Sequence, residues 1–223
     1  MSWWFVHKRK SIAEISNEIH VSFEELKKRT RIAVIDDDIN SLPIESLKQD
    51  NFAIDTYETV DALLLQKLER GYYDIIILDI KGIASVDIVK NDGLGILQYL
   101  KEKNPTQIIV ACSSKKFDPS QCKFFNLAND VLDKPITFIE CKEKLEQIIS
   151  DNMSIENRWN ALTQYLRSTG IGEKTLNKIE KSLIHSLCKK KSTAEKILQH
   201  MDEHAPAYTL ALQIINFIVN VGK

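Results

Sequence analysis

The chain has 223 residues, of which 43% are hydrophobic and 27% are charged. These proportions are typical of a globular protein, and they exclude a disordered, collagen-like or coiled-coil description of the whole chain. The formal net charge is only −1, so no overall field favours nucleic acid or an anionic membrane, and we expect no nucleic-acid partner.

The first segment, residues 1–29, has the apolar spacing of one amphipathic helix over residues 11–29. Before it, Trp3-Trp4-Phe5 stands next to the basic residues 8–10. This composition is that of an interfacial membrane anchor. The alternative, which we favour because the segment is short and its charge modest, is an apolar contact with helices of the same chain.

The second segment, residues 30–150, is acidic, with 14 basic and 20 acidic side chains over 31–150. Short apolar runs alternate with stretches of helical spacing, which predicts five βα units. Runs without polar residues indicate strands covered on both faces, so we expect an α/β fold with a doubly wound, five-stranded parallel sheet. The predicted strands are 32–35, 52–57, 75–78, 108–110 and 131–132, and the predicted helices are 41–50, 60–68, 92–102, 119–127 and 137–149.

The third segment, residues 151–223, has helical spacing nearly throughout. Breaks fall at residues 169–172 and at Pro206, where glycine or proline interrupts the pattern. The last helix is so apolar that it must pack on another surface, in this chain or in a partner. We therefore expect an all-α output or interaction domain with helices over 155–168, 173–188, 192–204 and 207–221.

Polar side chains follow four of the predicted strands. Asp36-Asp37-Asp38 follow the first strand, Asp79 the third, Cys112-Ser113-Ser114 the fourth and Lys134 the fifth. The carboxyl ends of parallel strands lie at one edge of a sheet, which is where ligands bind. Converging carboxylates favour a hard divalent cation, and an aspartate beside a cation and a lysine is suited to accept a phosphoryl group. The alternative is that each acid only caps a helix or solvates a loop.

The segment resembles the receiver domain of two-component response regulators, over residues of about 30–150. The resemblance rests on four motifs in the proper order and strand context, each of them weak alone. They are Arg-Ile-Ala-Val-Ile-Asp-Asp-Asp at 31–38, Tyr-Asp-Ile-Ile-Ile-Leu-Asp-Ile at 73–80, Asp-Gly-Leu-Gly-Ile-Leu at 92–97 and Asn-Asp-Val-Leu-Asp-Lys-Pro at 129–135. It implies a flavodoxin-like fold.

The resemblance also implies roles for particular residues. Asp79 would be the phosphorylated aspartate, and Lys134 would pair with it and contact the phosphoryl group. Mg²⁺ would be held by Asp36, Asp37, Asp79 and the backbone carbonyl of Lys81. The bond before the proline that follows Lys134 is usually cis in this family.

The switching hydroxyl of the family has two candidate positions here. Counting back from Lys134 without gaps places Cys112 there, whereas the strand pattern places Ser113 there with one residue missing from the next loop. A thiol is a poor donor to phosphate, so the chemistry favours Ser113.

Two features depart from the family pattern. A longer stretch, residues 81–91, separates Asp79 from the Asp-Gly helix start, and it is either a lid over the site or a surface insertion. In addition, Val131 stands where many relatives have an aromatic switch residue. A signal would have to leave this domain by another route.

We therefore expect a response regulator that accepts a phosphoryl group on Asp79 from a sensor histidine kinase. Such a protein catalyses only its own phosphorylation and dephosphorylation, so it is not an enzyme acting on a metabolite. Its helical region would signal to an unknown protein effector or form a homodimer. The four cysteines lack metal-site spacing, which is typical of reduced thiols in the cytoplasm. The alternatives are a receiver-like scaffold not switched by phosphorylation and a transcription factor with a helical DNA-binding tail.

Overall fold

The computed structural model describes residues 10–85, 87–114, 125–189 and 192–222. The chain divides into two compact units. One unit is Ser22–Met153, and the other combines the segment that ends at Val21 with the segment that begins at Ser154. We call them the sheet unit and the helical unit. Within the described ranges, no helix is both long and apolar enough to cross a membrane.

The sheet unit contains five parallel strands in the order β2-β1-β3-β4-β5, which confirms the predicted fold class. All five residues of β3 are buried, as its run of apolar residues predicted. The chain reverses its direction of winding between β1 and β3, and the site expected at the carboxyl edge lies at this point. The strands are β1 Arg31–Ile35, β2 Ala53–Tyr57, β3 Ile75–Asp79, β4 Ile108–Ser114 and β5 Asp130–Lys134.

Helices connect and cover the strands of this unit. Several begin at a side chain that satisfies a free backbone N–H group: Asp61 accepts from the N–H of Leu64, and Thr137 forms a capping box with Glu140. Most of the helix predicted over 119–127 lies outside the described residues. The helices are α2 Phe23–Arg29, α3 Ile44–Gln49, α4 Ala62–Glu69, α5 Asp92–Lys103 and α6 Phe138–Asn152, and Ile39–Ser41 forms a 3-10 turn.

The prediction of one helix over residues 11–29 is wrong. The structure has a first helix, α1, at Ile12–Glu18, and α2 begins only at Phe23. Ile19 has an extended backbone conformation, and the side chain of Ser22 accepts a hydrogen bond from the N–H of Glu25, so it caps a second helix. The apolar spacing continues across the break, and for that reason the pattern alone did not reveal it.

Helix α2 is held in the sheet unit by a buried lysine. Lys27 is only 2% exposed, and its ammonium group lies 3.1 Å from carboxylate oxygens of both Glu24 and Asp50. The same group stands 5.1 Å from the centre of the Phe52 ring, over its face. Burial opposes the charge of Lys27, but these carboxylates outweigh it and raise its pKa.

The helical unit contains α1 together with α7 Ile155–Ser168, α8 Glu173–Lys189, α9 Ala194–Ile197 and α10 Pro206–Val221. The apolar last helix, α10, packs against α7, α8 and α9, and α1 packs against α7 and α8. Ile214, Ile215 and Ile218 of α10 are completely buried. The helix expected over 192–204 is shorter than predicted, because Leu198 ends α9 and turns follow it.

Candidate functional site

Three carboxylates come together at the carboxyl edge of the sheet. Asp36 follows β1, Asp37 is next to it, and Asp79 is the last residue of β3. Because β1 and β3 are neighbours in register, their ends bring the side chains together. One carboxylate oxygen from each residue lies within 4.8 Å of the others. Asp36 and Asp79 are buried, while Asp37 is exposed, so the cluster opens to solvent on one side.

Lys134 connects the two buried carboxylates. Its Nζ lies 2.5 Å from Oδ2 of Asp36 and 2.7 Å from Oδ2 of Asp79, and its side chain is only 10% exposed. Lys134 ends β5, so its side chain reaches across β4 to these acids. Burial lowers the pKa of Lys134, but the hydrogen bonds to Asp36 and Asp79 outweigh this effect and raise it. The lysine is therefore protonated at neutral pH.

Asp36 has a raised pKa in spite of this partner. Its burial disfavours the charged form more than the ammonium of Lys134 favours it, and the neighbouring charge of Asp79 raises the pKa further. The carboxylate also accepts hydrogen bonds from the N–H of Asp38 at 3.0 Å and from the hydroxyl of Ser41 at 3.4 Å. The 3-10 turn brings that hydroxyl to the site.

Asp79 is fixed through both of its oxygens. Oδ2 pairs with Lys134, and Oδ1 accepts hydrogen bonds from the N–H of Ile80 at 2.6 Å and of Lys81 at 3.4 Å. A carboxylate held in this way has few orientations, which is what a nucleophile or a metal ligand requires.

The donors of this site fit a hard divalent cation. Three carboxylates face one ammonium group, so negative charge is in excess, and all the donor atoms are oxygens of the kind Mg²⁺ prefers. The backbone directly after Lys81 also lies against the cluster, because a β-carbon on Gly82 would stand 2.2 Å from Oδ2 of Asp37. This position agrees with the expected contribution of the Lys81 carbonyl, which remains a prediction.

Cys112, rather than Ser113, shares a face of the sheet with Asp79. In the register of β3 and β4, Cys112 lies opposite Asp79, and in the register of β4 and β5 Ser113 lies opposite Asp133. Since successive side chains of a strand point to opposite faces, Ser113 belongs to the other face. The charges of Lys134, Asp36 and Asp79 act on the thiol of Cys112, and burial raises its pKa to about 12. The switching role expected of Ser113 is thus not supported by its position, and it stays a prediction.

The stretch 81–91 is anchored in the sheet unit at several points. Ile83 is completely buried in the core, and its carbonyl accepts a 2.7 Å hydrogen bond from the N–H of Val60. Ile88 and Val89 pack against the same core. The sequence left two interpretations open, a lid over the site and a surface insertion. The contacts of Ile83 disfavour a mobile lid for the first half of this stretch.

Asp92, predicted from the sequence only to begin a helix, also contacts the backbone that follows Asp79. Its carboxylate accepts hydrogen bonds from the N–H groups of Gly82, Ile83 and Ala84, directly after the predicted metal ligand Lys81. An Asp-Gly pair after a long loop was the only signal available, because the partners of Asp92 lie eight to ten residues earlier in the chain.

Two remaining predictions concern β5. Val131, its second residue, is partly buried and packs with Ile80, Leu94 and Ala111, and its place at the family's switch position stays a prediction. The peptide bond between Lys134 and Pro135 is cis, as the resemblance implied.

The segment of residues 1–9, for which a membrane anchor and an apolar contact were considered, lies outside the described residues.

No protein-family model matches this sequence, and no curated protein matches it. Solved structures do resemble it. The receiver domain of NtrX from Brucella abortus is 22% identical, with 53% of this chain and 98% of that chain covered and a TM-score of 0.45. A receiver domain protein, CheY-like, from Methanospirillum hungatei is 20% identical, with 54% and 94% covered and a TM-score of 0.44. The signal receiver domain of a putative Luxo repressor protein from Vibrio parahaemolyticus is 21% identical, with 55% and 91% covered and a TM-score of 0.45.

The class that the fold defines is a flavodoxin-like, doubly wound α/β domain. This assignment rests on the strand order β2-β1-β3-β4-β5 of the chain itself. Within this class, the chain combines the sheet unit with a helical unit formed from both of its ends.

Proposed function

We propose that the sheet unit is the phosphoryl-accepting domain of a two-component response regulator, and that Asp79 is the acceptor. The observation that carries the proposal is the position of Lys134, which bridges Asp36 and Asp79 at the carboxyl edge while Asp37 lies beside them. An acidic cluster that served only to solvate a loop would have no need of a partly buried ammonium group between its carboxylates.

In the proposed reaction, a carboxylate oxygen of Asp79 attacks the phosphorus atom of a phosphohistidine. The new P–O bond forms as the P–N bond breaks, and the imidazole nitrogen of the kinase leaves with the electron pair. The Asp79 carboxylate becomes an acyl phosphate, and hydrolysis by water later restores it. Both reactions take place on the protein's own side chain, so no metabolite is turned over.

The residues of the site divide this work among them. Lys134 holds Asp79 before the transfer, and its ammonium group lies where it would offset the charge of the arriving phosphoryl group. Asp36, Asp37, Asp79 and the carbonyl of Lys81 would hold Mg²⁺. When bound, the ion would neutralise charge on the phosphoryl oxygens.

The output is assigned to the helical unit, acting through contacts with a protein effector or a second copy of the chain. A sensor histidine kinase would supply the phosphoryl group. We infer that the protein itself is cytoplasmic, in line with its free, buried Cys112 and Cys141.

A second candidate function is a receiver-like scaffold that phosphorylation does not switch. The position of Cys112 opposite Asp79 favours it, because a thiol donates only weakly to a phosphate oxygen. In that case the site would still bind Mg²⁺ and accept a phosphoryl group, but the chain would respond little.

The proposal is tested by intact mass after incubation with acetyl phosphate, with and without Mg²⁺. The parent should gain one phosphoryl adduct only with Mg²⁺, and Asp79→Asn should gain none. Asp87→Asn, which removes an exposed carboxylate from the stretch 81–91, is the matched control and should behave as the parent. An adduct of equal yield on Asp79→Asn would overturn the assignment of the acceptor. A response to the adduct in hydrogen exchange of the sheet unit would argue against the scaffold.

A further inference from the structure

We propose that Asp92 is a positioning residue of this site: its carboxylate fixes the backbone of residues 82–84 beside Asp37 and thereby sets the geometry of the metal ligands. This inference rests on the proposed function, because the ligands in question are those assigned above.

The first observation is a run of directed hydrogen bonds. The N–H groups of five successive residues, from Ile80 to Ala84, all donate to carboxylates. The first two donate to Asp79, and the last three to Asp92, with distances of 3.1 Å for Ile83 and 2.8 Å for Ala84. The backbone that carries the Lys81 carbonyl is therefore held on one side by the acceptor residue and on the other by Asp92.

The second observation is the lack of space between this backbone and Asp37. Gly82 has φ +82°, and a β-carbon on it would meet Oδ2 of Asp37 at 2.2 Å. Any displacement of the Gly82 backbone would therefore also move the surface that contacts Asp37, the exposed proposed metal ligand. Glycine is suited here on both counts, since it adopts positive φ without strain and allows the close approach.

The third observation is that the position of Asp92 is itself tied to the acceptor. The next residue, Gly93, lies so close to Asp79 that a β-carbon on it would stand 2.0 Å from the Asp79 carbonyl oxygen. A closed ring of contacts therefore holds the segment 79–84. Asp92 binds its far end, at residues 82–84, and Gly93 contacts its near end, at Asp79.

The chemistry of this ring requires a carboxylate. Two oxygens without hydrogen can accept from three N–H groups, whereas an amide offers one oxygen and an NH₂ group that would face the donors. Asp92→Asn keeps the shape of the side chain. It also keeps the backbone, because asparagine tolerates the left-handed conformation of this residue, φ 54°. The substitution changes the hydrogen bonding and removes one negative charge.

The test compares the parent with Asp92→Asn and with Asp87→Asn, which removes the same charge from the adjoining stretch 81–91. None of the hydrogen bonds described for residues 82–84 involves Asp87. Backbone hydrogen exchange of the metal-free proteins reports the ring directly. Titration calorimetry with Mg²⁺ reports its effect on the ligands, and a thermal melt shows whether each variant is folded.

In Asp92→Asn, we expect exchange of the amides at 82–84 to be about tenfold faster, and the Kd for Mg²⁺ to rise about tenfold, as for other residues that orient metal ligands. Asp87→Asn should match the parent in both. Unchanged exchange at 82–84 would overturn the proposal, and so would faster exchange with an unchanged Kd, which would make Asp92 a loop support only. A parent that binds no Mg²⁺ would instead overturn the proposed function, and the inference with it.

Discussion

Gly93 and Asp79 are in backbone contact. A β-carbon at Gly93 would stand 2.0 Å from the carbonyl oxygen of Asp79 and 2.8 Å from the α-carbon of Ile80. The obstacles are backbone atoms of a buried strand end, so they cannot move aside as the tip of a flexible side chain would. Helix α5 therefore begins directly against the strand that ends in the proposed acceptor.

This contact predicts the effect of Gly93→Ala. In a helix, alanine is normally favoured over glycine by about 1 kcal/mol, so a loss of stability would reveal the clash. We expect the free energy of unfolding to fall by about 2–3 kcal/mol in a urea titration. Gly172→Ala is the control, because a β-carbon there meets nothing within 4 Å; since Gly172 directly precedes α8, where glycine is favoured over alanine, its effect should stay within about 1 kcal/mol. Equal effects of the two variants would contradict the reported contact.

The buried thiols of Cys112 and Cys141 should not react with alkylating reagents in the native protein. Burial raises the pKa to about 12 for Cys112 and to about 11 for Cys141, so the reactive thiolate is scarce at pH 8. With iodoacetamide at that pH, the exposed Cys188 of the native protein should be alkylated first, and peptide mapping should find Cys112 and Cys141 unmodified. Both should react once urea unfolds the protein. Rapid alkylation of native Cys112 would show that the site is more open than described.

Mg²⁺ should stabilise the parent against unfolding. An ion that binds only the folded state at about 100 times its Kd contributes about 2.7 kcal/mol. Asp37→Asn removes the exposed member of the proposed ligand set, so the stabilisation should largely disappear in urea titrations with MgCl₂. Sodium chloride of the same ionic strength is the control for general screening. If it stabilises the parent as much as Mg²⁺ does, the carboxylate cluster is not a specific cation site.

Lys101 should make the free energy of unfolding of the sheet unit depend on pH in the alkaline range. Its Nζ donates at 2.7 Å to the carbonyl of Gln107 and to Oδ1 of Asn129, and burial lowers its pKa to about 8. Between this pKa and the ordinary lysine pKa of 10.5, the unfolded chain keeps a proton that the folded chain has lost. Lys101 therefore makes stability rise with pH in this window, by at most about 1.4 kcal/mol per pH unit.

The contribution of Lys101 is isolated by comparison with Lys101→Met, which keeps an unbranched side chain without the amine. From pH 8 to 9.5, the free energy of unfolding should rise more steeply in the parent than in the variant. Parallel curves would show that the amine is better hydrated than its burial implies.

The sequence predicted the strands well because each carries a local signal. Ile75–Leu78 is apolar throughout and is followed by an acid, which indicates a covered strand and its carboxyl end. The separation of α1 from α2 depends on one cap at Ser22, and the apolar pattern runs across it. The choice between Cys112 and Ser113 differs by one residue, and only the pairing with β3 settles which face each occupies. The hydrogen bonds of Asp92 come from backbone amides eight and nine residues earlier in the chain, so the residues next to Asp92 in the sequence do not reveal them.

The division of the chain at Val21 and Met153 has a consequence for how the protein is made. The sheet unit is an inserted domain, and its host is discontinuous: α1 is synthesised first, but its partners α7 and α8 leave the ribosome only after the whole insert has emerged. The insert can fold as it is translated, whereas α1 must wait for α7 and α8 before it can pack in the host. No single proteolytic cut separates the two, and an excised fragment that begins at α1 and ends at Met153 would expose the apolar face of that helix.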